Sequence, residues 1–312
     1  MSEKDSPLIG VDVGGTNFRV GVVRNAQVVW EQRFQADFAA FCRNNPPQAA
    51  LQFILDTLAD GIQEARSYFP AVRAAGVGFP GFVDPVTQCV SQSPNLPGLL
   101  DVNLSVPLSN RLQLPILVEN DALAAAYGEL ACSGPEEGKG SLMYIGLGTG
   151  VGGGLILDGR AYPGVHGVAM EVGHLIIEEN GRQCGCGNRG CLEQYASASG
   201  VVTTYAELSG IPGQDAAGIS KLARQGDAHA LAAYVRAGEV LGQGLASILK
   251  IVDVSPVIIG GGLGSSWDLM AAAFHARLEA DLIPALRNRI SIQLSHAGDQ
   301  AGIIGAAMLS RS

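Results

Sequence analysis

Short apolar runs punctuated by glycine alternate along this chain with segments whose apolar residues recur every three or four positions. The first pattern predicts buried strands, the second helices. Residues 8–13 read as a strand, broken by Gly14-Gly15-Thr16-Asn17, with a second strand at 18–23 and a third at 27–34. Three such strands behind a glycine turn predict an antiparallel meander. Ala50, Leu51, Ile54, Leu55, Leu58 and Ile62 give one apolar face to a helix over 47–67. A buried strand at 74–79 stops at Pro80-Gly81, and a loop rich in Pro and Asn runs on to residue 107. Another strand, 115–118, leads through Glu119-Asn120-Asp121 into an alanine-rich helix over 122–130, with Asp121 at the N-cap position.

The opening then recurs. Residues 142–147, the turn Gly148-Thr149-Gly150 and residues 151–157 repeat the strand, Gly/Thr turn and strand of 8–23. Two copies of one supersecondary unit predict two similarly built domains. Further on, helices are predicted at 197–209, 215–225, 228–251 and 266–281, with a strand at 256–259 that ends in Gly260-Gly261-Gly262 and a closing helix at 301–310.

Composition narrows the class. Of 312 residues 47% are apolar and only 16% charged, and 42 are glycine, which describes a large-cored α/β enzyme with many tight turns. The net charge is -9 with no basic cluster, so a nucleic-acid partner, which needs stripes of Lys and Arg, is not expected. Residues 140–157 carry no charge, but seven of these eighteen are glycine, and two short strands fit them better than a membrane span. The polar start of the chain lacks the apolar segment of an export signal, so a reducing cytoplasm is the expected compartment. Cys42, Cys89 and Cys132 are scattered and are expected to be ordinary buried thiols.

The other three cysteines are not scattered. Cys184, Cys186 and Cys191 fall within eight residues, and His174 lies upstream in Glu171-Val172-Gly173-His174. Three thiolates and an imidazole are the ligand set of a structural zinc site. The glycine turns suggest a second chemistry, because backbone N–H groups at glycine can approach a phosphate closely and threonine adds a hydroxyl. Neither a Walker P-loop nor a Rossmann fingerprint is present. Asp12 ends the first strand, where it could hold Mg²⁺ or simply cap the turn. Asp121 ends another, as a proton acceptor or as a plain helix cap.

Together these motifs resemble the ROK family of bacterial sugar kinases and regulators. Asp12-Val-Gly-Gly-Thr-Asn17 and Gly146-Leu-Gly-Thr-Gly-Val-Gly-Gly-Gly154 look like its two phosphate motifs, Glu171-Val-Gly-His174 like its Glu-x-Gly-His motif, and Cys184-Gly-Cys-Gly-Asn-Arg-Gly-Cys-Leu-Glu193 like its zinc signature. The resemblance implies an α/β actin-like ATPase (ribonuclease H-like) fold of two α/β domains with an interdomain cleft, placed here at 1–119 plus 300–312 and at 120–299. It implies ATP with Mg²⁺ on Asp12, Gly14, Gly15, Thr16, Asn17, Gly148, Thr149, Gly150, Gly260, Gly261 and Gly262, and a structural Zn²⁺ on His174, Cys184, Cys186 and Cys191. A hexose would be held by Gly81, Asn95, Asn120, Asp121, Glu171, His174 and Glu193, with Asp121 as general base. Gly78 to Asp84, Asn95 to Gly98 and Ala301 to Ala306 look most like the members that phosphorylate glucose at the 6-hydroxyl; kinases of N-acetylglucosamine, N-acetylmannosamine, allose and fructose share most of the same motifs. The family's repressors carry a DNA-binding helix-turn-helix ahead of the first phosphate motif, and seven residues before Leu8 are too few for one, so a kinase is expected. A homodimer or homotetramer is implied, and no membrane partner.

Overall fold

The computed structural model describes residues 6–133 and 140–311; the first five residues of the polar start lie outside them. In chain order the elements begin with β1 (Leu8–Val13), β2 (Asn17–Arg24), β3 (Gln27–Gln35), α1 (Phe38–Asn44), α2 (Pro47–Tyr68), β4 (Ala75–Phe79), β5 (Phe82–Val83), β6 (Cys89–Gln92) and β7 (Leu100–Asn103). There follow α3 (Ser105–Leu112), β8 (Ile116–Asn120), α4 (Asp121–Cys132), β9 (Leu142–Leu147), β10 (Val151–Leu157) and β11 (Arg160–Ala161). The remainder is α5 (Glu193–Ala196), α6 (Ala198–Ser209), α7 (Ala216–Arg224), α8 (Ala228–Val252), β12 (Val257–Gly260), α9 (Trp267–Asp281), β13 (Ile292–Leu294) and α10 (Ala301–Leu309).

The repeat read from the two glycine turns is carried into topology. One five-stranded sheet runs β3-β2-β1-β4-β8 and the other β11-β10-β9-β12-β13, the same order in both copies. In the first sheet β1, β2 and β3 form the expected antiparallel meander, while β4 and β8 add in parallel. The segment expected to be an irregular loop to residue 107 instead holds a three-stranded sheet, β5-β6-β7, and the start of α3. Strands of two to four residues are too short to set up an alternation that a sequence reader can see. The same brevity hid β11 and β13.

The chain divides into two compact units, one comprising residues up to Tyr144, Gly154–Met170 and His296 onward, the other Ile145–Gly153 and Glu171–Ser295. This differs from the boundaries at 119/120 and 299/300, because α4 belongs with the first unit. Glycines explain why. A Cβ at Gly128 would meet the carbonyl of Ala301, and one at Gly305 the carbonyl of Ala124, so α4 and α10 touch backbone to backbone. Gly10 and Gly76 do the same for α10 against β1 and β4. On the other side of that sheet α2 buries Ile54, Leu58 and Ile62 over Phe18, whose ring stacks on Phe34 at 4.8 Å.

In the second unit α8 and α9 pair in a similar way, with Gly238 beside the Met270 carbonyl and Gly242 beside that of Phe274. Ser197, Asp215 and Asp227 cap α6, α7 and α8 through their side chains, each satisfying one N–H that the first helical turn leaves unpaired. Among the described residues no helix is long and apolar enough to cross a membrane.

Candidate functional site

In the first unit the turn after β1 is closed by Gly14 N–H donating to the Asn17 carbonyl at 2.9 Å. Its outer carbonyls, on Gly15 and Thr16, accept from Ala39 and Ala36, which ties the turn to the start of α1. Asn17 Nδ2 reaches Thr16 Oγ1 at 3.3 Å. Asp12, at the end of β1, accepts from Arg19 at 2.6 Å through Oδ2, and Gly302 of α10 packs against its carboxylate. That pairing was not foreseen: Asp12 and Arg19 are cross-strand partners in the β1–β2 register, a contact that only the hairpin creates.

Asn120 and Asp121 sit where β8 becomes α4. The N-cap is Asn120, not Asp121 as expected: Asn120 Oδ1 accepts from Leu123 N at 3.0 Å, and Asp121 takes the first helical position. The reason is register. Asn120 still pairs with Phe79 in the sheet, so the helix cannot begin before residue 121. Asn120 Nδ2 also donates to the Gly81 carbonyl at 3.0 Å, and Ser93 Oγ donates to the neighbouring carbonyl of Pro80. The Gly78–Asp84 motif and Asn120 are therefore joined by a direct hydrogen bond, and Asp121 follows as the next residue of the chain. Asn95 is exposed in a turn just after Ser93.

Glu119, one residue earlier, has no sequence signal that sets it apart from an ordinary strand carboxylate. It is largely buried, its Oε1 accepts from Asn120 N at 2.9 Å, and burial pushes its carboxyl up to about 7. Because the folded protein holds this proton more tightly than the unfolded chain, the group is harmless to stability below pH 4.5 and weakens the fold increasingly as pH rises through 7. Glu119→Gln keeps an acceptor for Asn120 N and removes the charge. It is expected to stabilise by up to about 3 kcal/mol at pH 8, where the buried carboxylate must be charged, and by almost nothing at pH 4.5. Urea melts at the two pH values check this; a gain equal at both would disprove the assignment of the charge.

In the second unit the clustered thiols meet the histidine. Ligand atoms of His174, Cys184, Cys186 and Cys191 all lie within 4.8 Å of one another. Cys186 and Cys191 Sγ are 3.6 Å apart, and Cys184 Sγ is 3.7 Å from His174 Nδ1. A tetrahedral zinc with bonds of ~2.3 Å to sulfur and ~2.0 Å to nitrogen sets its ligand atoms about 3.5–3.8 Å apart, so the donor set fits the metal in chemistry, and these two pairs fit it in spacing. Gln194 Nε2 approaches Cys184 Sγ at 3.6 Å, the kind of outer contact that orients a ligand. The other imidazole nitrogen, Nε2, lies 3.7 Å from the Glu171 carboxylate. Burial pushes that carboxyl up, opposed by His174 and reinforced by the charge of Glu193.

The two remaining glycine turns lie at the ends of the adjacent strands β9 and β12. Gly148-Thr149-Gly150 follows β9 and closes on itself, Gly148 N–H to the Gly150 carbonyl at 2.9 Å. Gly260-Gly261-Gly262 ends β12, and Gly261, at φ 83°, lies so close to the Leu147 carbonyl that a side chain there would collide. Glu193, expected to face a sugar, has Oε2 on the Val151 N–H at 3.0 Å. Of the isolated thiols, Cys42 is buried as expected, but Cys89 is half-buried and Cys132 exposed.

Comparison with known proteins follows these features closely. The family model described as "ROK family" matches residues 8–312. The glucokinase of Thermotoga maritima is 32% identical, over 97% of this chain and 96% of its own. The N-acetyl-D-glucosamine kinase of Citrobacter koseri is 32% identical, over 96% and 98%. Among solved structures, a ROK family glucokinase from Streptomyces griseus in complex with glucose and AMPPNP superposes with a TM-score of 0.82 at 32% identity, covering 98% of this chain and 99% of that one.

Proposed function

The chain belongs to the ROK family, and from that premise we propose that it is an ATP-dependent hexokinase that phosphorylates glucose at the 6-hydroxyl. The observation that carries the reading is His174, with Nδ1 among three cysteine sulfurs and Nε2 beside Glu171. A metal bound at Nδ1 fixes the tautomer, so that Nε2–H must donate. A fixed donor beside a carboxylate acceptor suits the vicinal hydroxyls of a sugar, and such groups reject a ligand that leaves them unpaired. The actin-like ATPase fold is common to the solved relatives.

We assign Asn120, Asp121, Gly81, Asn95, Glu171, His174 and Glu193 to the hexose. Asp121 accepts the proton of the 6-hydroxyl as that oxygen forms its bond to the terminal phosphorus of ATP; the bond from phosphorus to the bridging oxygen breaks, and ADP leaves. The glycine turns at 14–17, 148–150 and 260–262 hold the phosphates. Asp12 would hold Mg²⁺, directly or through water: among the described residues only its Oδ2 is engaged, and the Arg19 contact steadies the carboxylate. When bound, Mg²⁺ would neutralise charge on the phosphoryl group in transfer. Zinc on His174, Cys184, Cys186 and Cys191 is structural in this scheme. Thiolate ligands of this kind suit a reducing, cytoplasmic setting.

Relatives of two substrate classes match equally well in identity, so the sugar is the point to test. ATP consumption measured over glucose, mannose, fructose, allose, N-acetylglucosamine and N-acetylmannosamine is expected to give glucose the highest kcat/KM, by about tenfold or more. An N-acetyl hexosamine in first place would reassign the substrate. No turnover with any hexose would remove the kinase reading.

A further inference from the structure

The exit of the second glycine turn is bracketed from both ends of the zinc cluster. On one side, Val151 N–H donates to Glu193 Oε2 at 3.0 Å, two residues past the ligand Cys191. On the other, Gly173, next to the ligand His174, presses on the Val151 carbonyl so closely that a Cβ would overlap it. Two more hydrogen bonds reach the turn from the same segment: Ala198 N to the Gly148 carbonyl and Ser199 Oγ to the Thr149 carbonyl, both 2.9 Å. The Glu193 carboxylate also occupies the space a side chain at residue 150 would need, so a larger residue there would push Glu193 off Val151. The two arms of the bracket are otherwise joined by backbone pairings beside the ligands, Ile176 with Cys191 and Leu192 N with the Leu175 carbonyl.

We propose that the bond zinc makes between His174 and Cys191 closes this bracket on Val151 and so fixes the turn Gly148-Thr149-Gly150, making the metal site a support for nucleotide binding and not only for sugar binding. Glu193 is then a positioning residue for the nucleotide turn as well as a sugar contact. This rests on the reading of 148–150 as a phosphate turn. It gives zinc an effect in a reaction mixture with no sugar present, which a metal that merely oriented His174 and Glu193 toward glucose would not have.

The purified protein is expected to carry one zinc ion per chain, and the zinc-loaded protein is compared with the same protein after chelation. Amide hydrogen exchange is followed over residues 147–151, and Mg–ATP affinity is measured calorimetrically without sugar. Chelation is expected to speed exchange at Val151 by about tenfold or more and to weaken Mg–ATP binding about tenfold. Unchanged exchange and affinity, or purified protein free of zinc, would overturn the proposal. Where chelation unfolds the chain, the decision passes to Glu193→Ala with zinc retained. It is expected to weaken Mg–ATP binding about tenfold in the absence of sugar, the usual size for losing a hydrogen bond to a charged group; unaltered affinity would overturn the coupling. Zinc-loaded wild-type protein that binds no Mg–ATP would instead discard the kinase reading, while the exchange result at Val151 would still report on the bracket.

Discussion

Asp121→Asn is expected to bind glucose with nearly unaltered affinity and to turn it over about 10²–10⁴-fold more slowly, the range that a positioned general base contributes. The substitution suits the test because the hydrogen bonds at the start of the helix do not require the carboxylate charge. Asn120 supplies the helix cap, and Asp121 Oδ1 accepts from Ala122 N at 2.8 Å, a bond the amide oxygen of asparagine can keep. Folding should therefore be preserved, and a thermal melt verifies it. The loss should fall in kcat with the glucose dissociation constant almost constant, because the interaction removed is made only as the proton leaves. Near-normal kcat would strip Asp121 of its role.

The sequence was legible wherever chemistry or a long periodic run marked it. The glycine turns, the gathering of His174 with Cys184, Cys186 and Cys191, and the helix α2 need only spacing and residue type. The likeness of the two sheets was announced by one repeated strand, turn and strand, while their strand order is seen only in the fold. What escaped was set by partners distant in the chain. Asn120 and Asp121 can both cap a helix, and only the pairing of Asn120 with Phe79 decides between them. Arg19 meets Asp12 through a hairpin register, and Glu119 looks like any strand carboxylate until burial raises it. Glu193 could be read as a sugar ligand from its motif, but its hold on Val151 needs the fold that brings α5 to the turn after β9. The short strands β5, β6 and β7 carry too few residues to announce themselves.

Gly305→Ala reverses an ordinary expectation. In the middle of a helix, alanine is worth about 1 kcal/mol more than glycine, so an unconstrained α10 would gain stability. Here the new methyl would meet the Ala124 carbonyl carbon at 2.6 Å and Gly128 N at 2.7 Å. Both are backbone atoms of α4, which cannot rotate away as a side chain can, so α4 or α10 must shift bodily. The expected result is a loss of about 3 kcal/mol or more, seen as a fall in Tm of roughly 10 °C for a unit of this size. Gly264→Ala is the control: nothing stands within 4 Å of its Cβ position, and its Tm should hardly move. The consequence extends to catalysis, since α4 begins at Asp121. A base displaced by about 1 Å can lose about 10²-fold in rate, so Gly305→Ala assayed below its own Tm should show depressed kcat, although residue 305 is assigned no part in the chemistry. A variant as stable and as active as the wild type would mean that α4 and α10 do not touch along their backbones, and that the position of Asp121 is set elsewhere.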